Sequence, residues 1–183
     1  MKRVVITGMG IYSCLGNGLD AVRESLYNGK SGIIFDPVRK EMGFRSALTS
    51  YLEVPDLKKV LSRSQRVYMP EQAKYAYVAT AEALKNAGID QDYLDSHEVG
   101  LMYGNDSSAE PVYKSIETMF AKKDTTLIGS GGIFQSMNST VTMNLSCIFK
   151  LKGRNLTVSG ACASGSHAIG LGALLIRNGL QET

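Results

Sequence analysis

The sequence of 183 residues contains no tryptophan, two histidines and only three cysteines. Cys14, Cys147 and Cys162 form no C-x-x-C pair, and an odd number of cysteines does not indicate a disulfide framework. The spacing does not match a zinc site either. We therefore expect a protein of a reducing compartment, the cytoplasm, and we predict no metal and no other cofactor.

Strong charge of one sign and long apolar runs are also lacking. The chain has 20 Lys and Arg against 17 Asp and Glu, a formal net charge of +3, which is too small to indicate nucleic-acid binding. It is compatible with an acidic partner at a local basic patch. No apolar run reaches the ~18 residues of a membrane span. Thr7, Gly8 and Gly10 interrupt the apolar start before it can form a lipoprotein signal.

The pattern of apolar residues, glycines and prolines predicts a soluble α/β protein with one core. Buried strands are predicted over three short apolar runs, at 4–6, 99–103 and 155–158. Helices are predicted after Gly18, with Asn17 as the cap, from Pro70 to the stop at Gly88, and over 111–120, 136–149 and 163–178. The segment 31–67 is expected to form loops with short elements.

Cys162 lies in the turn between a predicted strand and a predicted helix, flanked by glycine and alanine residues that leave its sulfur accessible. At a helix N-terminus, free backbone N–H groups and the helix dipole stabilise the thiolate over the thiol. The same backbone groups, including the Cys162 N–H, can hold a developing oxyanion. The pattern predicts a nucleophile that accepts an acyl group as a thioester. A buried structural cysteine is the alternative, and we expect it for Cys14 and Cys147.

Residues 159–170, with the sequence SGACASGSHAIG, resemble the nucleophile segment of the beta-ketoacyl-[acyl carrier protein] (ACP) synthases, close to the bacterial type I and II elongation enzymes. Residues 3–10, RVVITGMG, are similar to that family's first strand and turn, and residues 28–33, NGKSGI, to a later segment. Segments 69–83 and 99–104 are also similar. The resemblance therefore extends over the whole chain, but over only half of the family's domain.

The resemblance implies an α/β protein with the thiolase-like fold. In this interpretation residues 1–183 form the N-terminal half of a beta-ketoacyl synthase domain, whose C-terminal half is absent. That half is the first part of a five-layered α/β/α/β/α domain with a mixed sheet. The family's architecture also implies a homodimer that forms through this half.

The family's reaction implies roles for Cys162 and for the carrier protein. An acyl group moves from acyl-ACP to Cys162, and malonyl-ACP then loses carbon dioxide and attacks the thioester to give beta-ketoacyl-ACP. In relatives, two histidines in C-terminal segments promote the decarboxylation, and we expect this chain alone to be inactive. His167, about 140° around a helix from Cys162, and His97, in a polar loop, are not expected to replace them.

Two further sets of residues take expected roles from the resemblance. The acyl pocket is expected to include Ser107, Ser108, Phe134 and Met137, with ordinary core packing as the alternative for each of them. Carrier-protein docking is expected to use the basic residues Arg63, Arg66, Lys122 and Lys123, with merely solvated charges as the alternative.

Two other functions remain open at the level of sequence. A dinucleotide-binding oxidoreductase domain would explain a strand followed by Gly8 and Gly10, but Ser13 stands where the third glycine of the fingerprint is required. A cysteine hydrolase would explain the turn at Cys162, but Ser164 replaces the second glycine of its motif. Nicotinamide binding and release of free acid, respectively, would distinguish these functions from acyl transfer.

Overall fold

The computed structural model describes residues 2–183 as a mixed α/β structure. Its strands are β1 (Tyr12–Ser13), β2 (Gly16–Asn17), β3 (Ile33–Phe35), β4 (Leu48–Ser50), β5 (Leu101–Gly104) and β6 (Asn155–Val158). Its helices are α1 (Leu19–Tyr27), α2 (Pro37–Glu41), α3 (Arg63–Arg66), α4 (Glu71–Asn86), α5 (Gln91–Ser96), α6 (Ala109–Lys122), α7 (Gly131–Ser136), α8 (Thr140–Phe149) and α9 (Ser164–Arg177). Short 3₁₀ turns cover Thr125–Leu127 and Ala161–Ala163.

The strands pair two by two. β1 with β2 and β3 with β4 are antiparallel hairpins, whereas β5 and β6 are parallel and aligned from Leu101 opposite Asn155 to Gly104 opposite Val158. Parallel and antiparallel pairing thus both occur, as expected of a mixed sheet, but in three separate pairs over residues 2–183. The parallel pair matters most for function, because the carboxyl ends of both strands meet at one edge.

The core lies between helices α4 and α8 and the parallel strand pair. Ala73 on α4 and Val141 and Leu145 on α8 are completely buried, so the small alanine lets the two helices approach closely. Tyr77 stacks on Phe149, with ring centroids 5.4 Å apart and an angle of 15° between the ring planes. The other buried members of the core are Leu57, Leu61, Met69 and Ala76.

The first predicted strand is wrong. Residues 4–6 form no strand among the described residues, and the side chains of Val5 and Ile6 are 62% and 76% exposed. A strand needs a neighbour for its backbone hydrogen bonds, and within residues 2–183 β5 and β6 pair only with each other. The apolar run alone could not reveal that this neighbour is missing.

The glycines that follow this segment serve close packing on helix α4. A Cβ atom on Gly8 would lie 2.4 Å from the Ala83 carbonyl oxygen, and one on Gly10 would lie 1.9 Å from that of Ala79. Only glycine allows such an approach of two backbones. The two glycines that suggested a dinucleotide-binding turn therefore pack against the backbone of α4.

Two helix boundaries also differ from the prediction. The helix expected over 136–149 begins four residues later, as α8 at Thr140, and Ser136 is instead the last residue of α7. Helix α1 is preceded by Gly18, with a φ of 93°, rather than capped by Asn17. Glu82 of α4 takes over the capping, because its carboxylate accepts hydrogen bonds from Leu19 N at 2.8 Å and Ile11 N at 2.9 Å.

Candidate active site

Cys162 lies where the parallel strand pair ends. It is the middle residue of the 3₁₀ turn Ala161–Ala163, which joins β6 to α9, and it is exposed. The start of α9 rests on the end of β5, since a Cβ atom on Gly104 would lie 2.5 Å from the backbone of both Ser164 and Gly165. Gly104 therefore allows the helix that follows Cys162 to sit directly on the sheet edge.

A buried serine closes the turn from inside. The Ser164 hydroxyl accepts a hydrogen bond from Gly160 N at 2.9 Å and donates one to the Ala161 carbonyl oxygen at 2.7 Å. Ala163 N also donates to the Gly160 carbonyl oxygen at 3.0 Å. These bonds fix the backbone on both sides of Cys162, which a nucleophile needs if it is to meet a substrate in a constant geometry.

The residue before the cysteine has a strained backbone. Ala161 has a φ of 48°, in the left-handed region that non-glycine residues seldom adopt. Asp106, on the loop after β5, accepts hydrogen bonds from Ala161 N at 2.9 Å and from the Ser159 hydroxyl at 2.6 Å. The bond from Ser159, with that from the Ala161 backbone, holds the pKa of the Asp106 carboxyl below its usual range.

The backbone N–H of Cys162 is available to a substrate. Its neighbours are engaged, since Ala161 N donates to Asp106 and Ala163 N donates to Gly160. Cys162 N has no acceptor within residues 2–183. An exposed thiol and a free N–H on the same residue, at the first turn of a helix, can attack a carbonyl carbon and hold the resulting oxyanion.

Three of the four predicted pocket residues, Ser107, Ser108 and Met137, come together beside the loop that follows β5. The buried Ser108 hydroxyl donates to the Met137 carbonyl oxygen at 3.1 Å, and Gln72 donates to Ser108 at 2.5 Å and to the Ser107 carbonyl oxygen at 3.3 Å. These contacts use the backbone of Met137, whose side chain is 40% exposed. The acyl-pocket role of Ser107, Ser108 and Met137 stays a prediction.

Phe134 lies at a separate apolar cavity. Its ring meets that of Tyr68 edge to face, with centroids 5.3 Å apart. The cavity has a volume of roughly 420 Å³ and is lined by Ser64, Gln65, Tyr68, Phe134, Met143, Asn144, Cys147 and Ile148. The structure thus places Phe134 at a cavity of suitable size for an apolar ligand. Among the described residues, Phe134 is not part of the hydrogen-bonded group that Ser107, Ser108 and Met137 form.

The predicted docking residues occupy two places. Arg63 and Arg66 form the ends of helix α3, whose central residues line the cavity, and Lys122 and Lys123 end helix α6. None of the four takes part in an ion pair with another residue of 2–183. Arg66 Nε donates to the Leu61 carbonyl oxygen at 3.1 Å, which ties this guanidinium to its own chain, whereas the other three side chains are exposed.

The prediction that Cys14 and Cys147 are buried is wrong. Both are exposed, Cys14 in the hairpin turn between β1 and β2 and Cys147 on the side of α8 that lines the apolar cavity. Apolar neighbours in sequence do not bury a residue when its own side of a turn or helix faces a cavity or solvent.

Within residues 2–183, no group of three or more metal-binding side chains is found.

The contacts of His97 and His167 do not make either histidine a partner of the Cys162 thiol. His97 stacks on Tyr93 with ring centroids 3.9 Å apart, and its Nδ1 lies 2.9 Å from the Ser96 hydroxyl. The His167 ring packs over Gly160, where an added Cβ atom would lie 2.8 Å from Nδ1. Both side chains belong to exposed residues.

Comparison with known proteins identifies the family. The family model described as "Beta-ketoacyl synthase, N-terminal domain" matches residues 1–183. This chain belongs to the beta-ketoacyl synthase family. Relatives named "3-oxoacyl-[acyl-carrier-protein] synthase 1" include those of Buchnera aphidicola from Acyrthosiphon pisum, 35% identical, and of Escherichia coli K12, 31% identical. Each alignment covers 100% of this chain and 45% of the relative.

Solved ketosynthase structures have the same fold. A beta-ketoacyl synthase from Burkholderia phymatum superposes with a TM-score of 0.83 at 32% identity, over 99% of this chain and 45% of the other. The ishigamide ketosynthase/chain length factor superposes with a TM-score of 0.87 at 21% identity, over 98% of this chain and 45% of the other. The predicted thiolase-like α/β fold is confirmed. The chain spans about half the length of the synthases it matches.

Sequence analysis gave no role to Asp106, which the structure places beside the cysteine turn. A signal for it was present, because Asp106 comes two residues after β5 and Ser159 directly follows β6. The carboxyl ends of neighbouring parallel strands lie at one edge of a sheet. Pairing these two strands in advance would have predicted that contact.

Across residues 2–183, none of the synthase domain's helices combines the length and apolarity required to cross a bilayer.

Proposed function

We propose that Cys162 is the acyl-accepting nucleophile of a beta-ketoacyl-[acyl carrier protein] synthase. The observation that carries this proposal is the geometry of one residue: an exposed thiol at a strand-to-helix turn, with its own backbone N–H free while both neighbouring N–H groups are engaged. We further propose that residues 1–183 are the N-terminal half of the synthase domain, since they match 45% of the length of their relatives.

The proposed reaction has two stages. In the first, the Cys162 thiolate attacks the acyl-ACP carbonyl, the free N–H stabilises the oxyanion, and the carrier thiol leaves with a proton. In the second, malonyl-ACP loses carbon dioxide, and the resulting carbanion forms a carbon–carbon bond to the acyl carbonyl. The bond to Cys162 then breaks, which releases beta-ketoacyl-ACP and restores the Cys162 thiolate. The groups that promote decarboxylation belong to the other half of the domain.

Acyl carrier protein is the proposed partner in both stages. Relatives aligned over the whole chain are named 3-oxoacyl-[acyl-carrier-protein] synthase 1. A further structure that shares the fold, with a TM-score of 0.75 at 24% identity over 98% of this chain and 49% of the other, is described as a type II acyl-carrier protein in complex with its ketosynthase. Arg63, Arg66, Lys122 and Lys123 are the proposed docking residues, because an acidic carrier is attracted to exposed cations.

Three further features are part of the proposal. The pocket for the acyl chain is assigned to Ser107, Ser108, Phe134 and Met137, and the apolar cavity at Phe134 supports this assignment for that residue. Family resemblance supports a homodimer. The cytoplasm is the proposed compartment, because three free cysteines suit a reducing environment.

Replacing the nucleophile tests the proposal directly. In the full-length protein, Cys162→Ala should abolish the acyl adduct that forms on incubation with acyl-ACP, measured by intact mass and peptide mapping. Cys14→Ala and Cys147→Ala are matched controls, since each removes another exposed cysteine, and both should keep the adduct. An acyl group that persists on the Cys162→Ala protein would refute the assignment.

The same measurement addresses the cysteine hydrolase. A hydrolase would release free acid with no lasting adduct, whereas a synthase retains the acyl group until malonyl-ACP arrives. The structure does not support the dinucleotide-binding alternative, because Gly8 and Gly10 pack against the backbone of α4.

A further inference from the structure

Asp106 is an exposed carboxylate that makes two hydrogen bonds to the segment immediately before Cys162, across 53 and 55 residues of sequence. It accepts from the Ser159 hydroxyl at 2.6 Å and from Ala161 N at 2.9 Å. Hydrogen bonds that an ionised acceptor makes are shorter and stronger than neutral ones. The loop after β5 therefore holds the turn that carries the nucleophile by a charged contact.

The contact acts at the strained point of that turn. Ala161 has a φ of 48°, and such a conformation persists only where surrounding interactions fix it. The Ser164 hydroxyl accounts for the Gly160 N–H and the Ala161 carbonyl. Asp106 alone accounts for the Ala161 N–H, so it completes the set of bonds that hold this residue.

The contact also determines which backbone N–H remains free. With Asp106 bound to Ala161 N, the Cys162 N–H is the one without an acceptor inside residues 2–183. If Asp106 is removed, Ala161 N loses its partner and the left-handed conformation loses support. The turn can then relax, which displaces the thiol and the Cys162 N–H together.

We propose that Asp106 is a positioning residue for Cys162: its carboxylate, bound to Ser159 and Ala161, fixes the strained turn that presents the thiol and the oxyanion-binding N–H. The inference rests on the proposed function for its catalytic consequence. Its geometric part concerns the reactivity of the thiol alone and is independent of acyl transfer.

Two variants of the full-length protein separate hydrogen bonding from charge. Asp106→Ala removes both acceptor contacts, whereas Asp106→Asn retains a carbonyl oxygen that can accept both bonds. A displacement of about 1 Å at a reacting group costs up to 10²-fold in rate. We therefore expect Asp106→Ala to slow acyl transfer from a small acyl thioester by about tenfold or more in kcat with little change in KM, and Asp106→Asn to restore most of the loss.

The chain offers a matched control. Asp124 makes the same kind of contact elsewhere, since its carboxylate accepts from Thr126 N at 2.8 Å and from the Thr126 hydroxyl at 2.7 Å. Asp124→Ala should leave the acylation rate unchanged. A small thioester is used as the substrate because it does not depend on the neighbouring Lys122 and Lys123.

Alkylation distinguishes failure of this inference from failure of the proposed function. Iodoacetamide labelling, quantified by peptide mapping, gives the rate at Cys162 with Cys14 and Cys147 as internal references in the same molecule. Asp106→Ala should change the Cys162 rate severalfold relative to these references, even if the wild-type protein takes up no acyl group.

Absence of acylation in the wild type would refute the proposed function only. Unchanged acylation and alkylation in Asp106→Ala would overturn the positioning role. An Asp106→Asn protein as slow as Asp106→Ala would also overturn it, because both hydrogen bonds go to one oxygen, Oδ1, and the amide keeps one oxygen acceptor.

Discussion

At the scale of single residues, exposure does not distinguish Cys162 from the other cysteines, because all three are exposed. Their backbone surroundings differ. Cys14 lies in a hairpin turn and Cys147 within helix α8, whereas Cys162 lies at the start of a helix with a free N–H. Because backbone groups at such a position can stabilise an oxyanion, the proposed acyl chemistry depends on the turn more than on access to the sulfur.

Gly104 should be as important to this turn as the residues within it. A Cβ atom there would lie 2.5 Å from the backbone of Ser164 and Gly165, too close for any contact to remain unchanged. We expect Gly104→Ala to lower the free energy of unfolding by about 1–3 kcal/mol through overpacking and to slow acylation of Cys162. Chemical denaturation and the acyl-adduct assay measure the two effects.

Gly170 in helix α9 provides the control for this substitution. An added Cβ atom at Gly170 meets nothing within 4 Å, and alanine is favoured over glycine inside a helix. Gly170→Ala should therefore keep acylation and leave stability unchanged or raise it by up to about 1 kcal/mol. Equal behaviour of the two variants would contradict the close contact between β5 and α9.

At the scale of elements, two helices without a capping side chain of their own, α1 and α9, are held at their starts by side chains from distant parts of the sequence. Helix α1 has no capping side chain of its own and depends on Glu82, a residue of α4. A carboxylate at a helix N-terminus satisfies a free N–H and interacts favourably with the dipole. Asp106 has a comparable position near α9, where it binds the turn that leads into the helix. Both contacts join segments that lie more than 50 residues apart.

The ends of helices α3 and α6 carry the proposed docking charges. Because Arg63 and Lys122 are exposed and form no ion pair with another described residue, their charges are free to attract an acidic partner. We expect the double variant Arg63→Glu/Lys122→Glu to raise KM for acyl-ACP by about fivefold, with a smaller effect at high salt. Its activity towards a small acyl thioester should change little.

Lys85→Glu is the control for charge reversal. Lys85 is exposed and lies on α4, about 20 Å from the start of that helix. Reversing its charge should leave KM for acyl-ACP unchanged. Equal losses with acyl-ACP and the small thioester would argue against docking by Arg63 and Lys122.

Elements with complete local signals could be predicted from the sequence. Strand β6 has the predicted bounds, Asn155–Val158, and helix α4 ends before Gly88 as expected. In both cases the apolar pattern and the stop signals lie within the segment itself. The turn at Cys162 was predictable for the same reason, because the strand, the small residues and the helix are consecutive.

Features that depend on a partner elsewhere in the chain could not be predicted in this way. The apolar run 4–6 has the composition of a strand but no pairing partner in the structure, and Gly8 and Gly10 reflect a contact with α4. The role of Asp106 depends on the alignment of β5 with β6. Local sequence contains the residues for such contacts but not the pairing that brings them together.

At the scale of the whole molecule, much apolar surface remains uncovered. Val5, Ile6 and the side chains of the β3–β4 hairpin, including Phe35 and Leu48, are exposed, and β5 and β6 form a parallel pair without a third strand over residues 2–183. Soluble monomers seldom expose large contiguous apolar patches or unpaired strand edges. These features support the proposal that another part of a synthase domain, or a second subunit, covers this half.

We predict that residues 1–183 alone do not catalyse condensation, although they contain Cys162. Decarboxylation of malonyl-ACP needs groups that stabilise the developing enolate. His97 is stacked on Tyr93 and His167 packs over Gly160, so neither is placed for that role by its contacts. We expect the isolated chain, given acyl-ACP and malonyl-ACP, to form neither carbon dioxide nor beta-ketoacyl product above background.

The full-length protein, assayed beside the isolated chain, is the positive control and should form both products. Iodoacetamide should still label Cys162 in the isolated chain, because the turn, its Ser164 and Asp106 contacts and the start of α9 all belong to these residues. Labelling without turnover would separate the two requirements: this half supplies the nucleophile, and the other half supplies decarboxylation. Turnover by the isolated chain at a rate near that of the full-length protein would show that all essential groups lie within residues 1–183, and the proposed division of the active site would then be wrong.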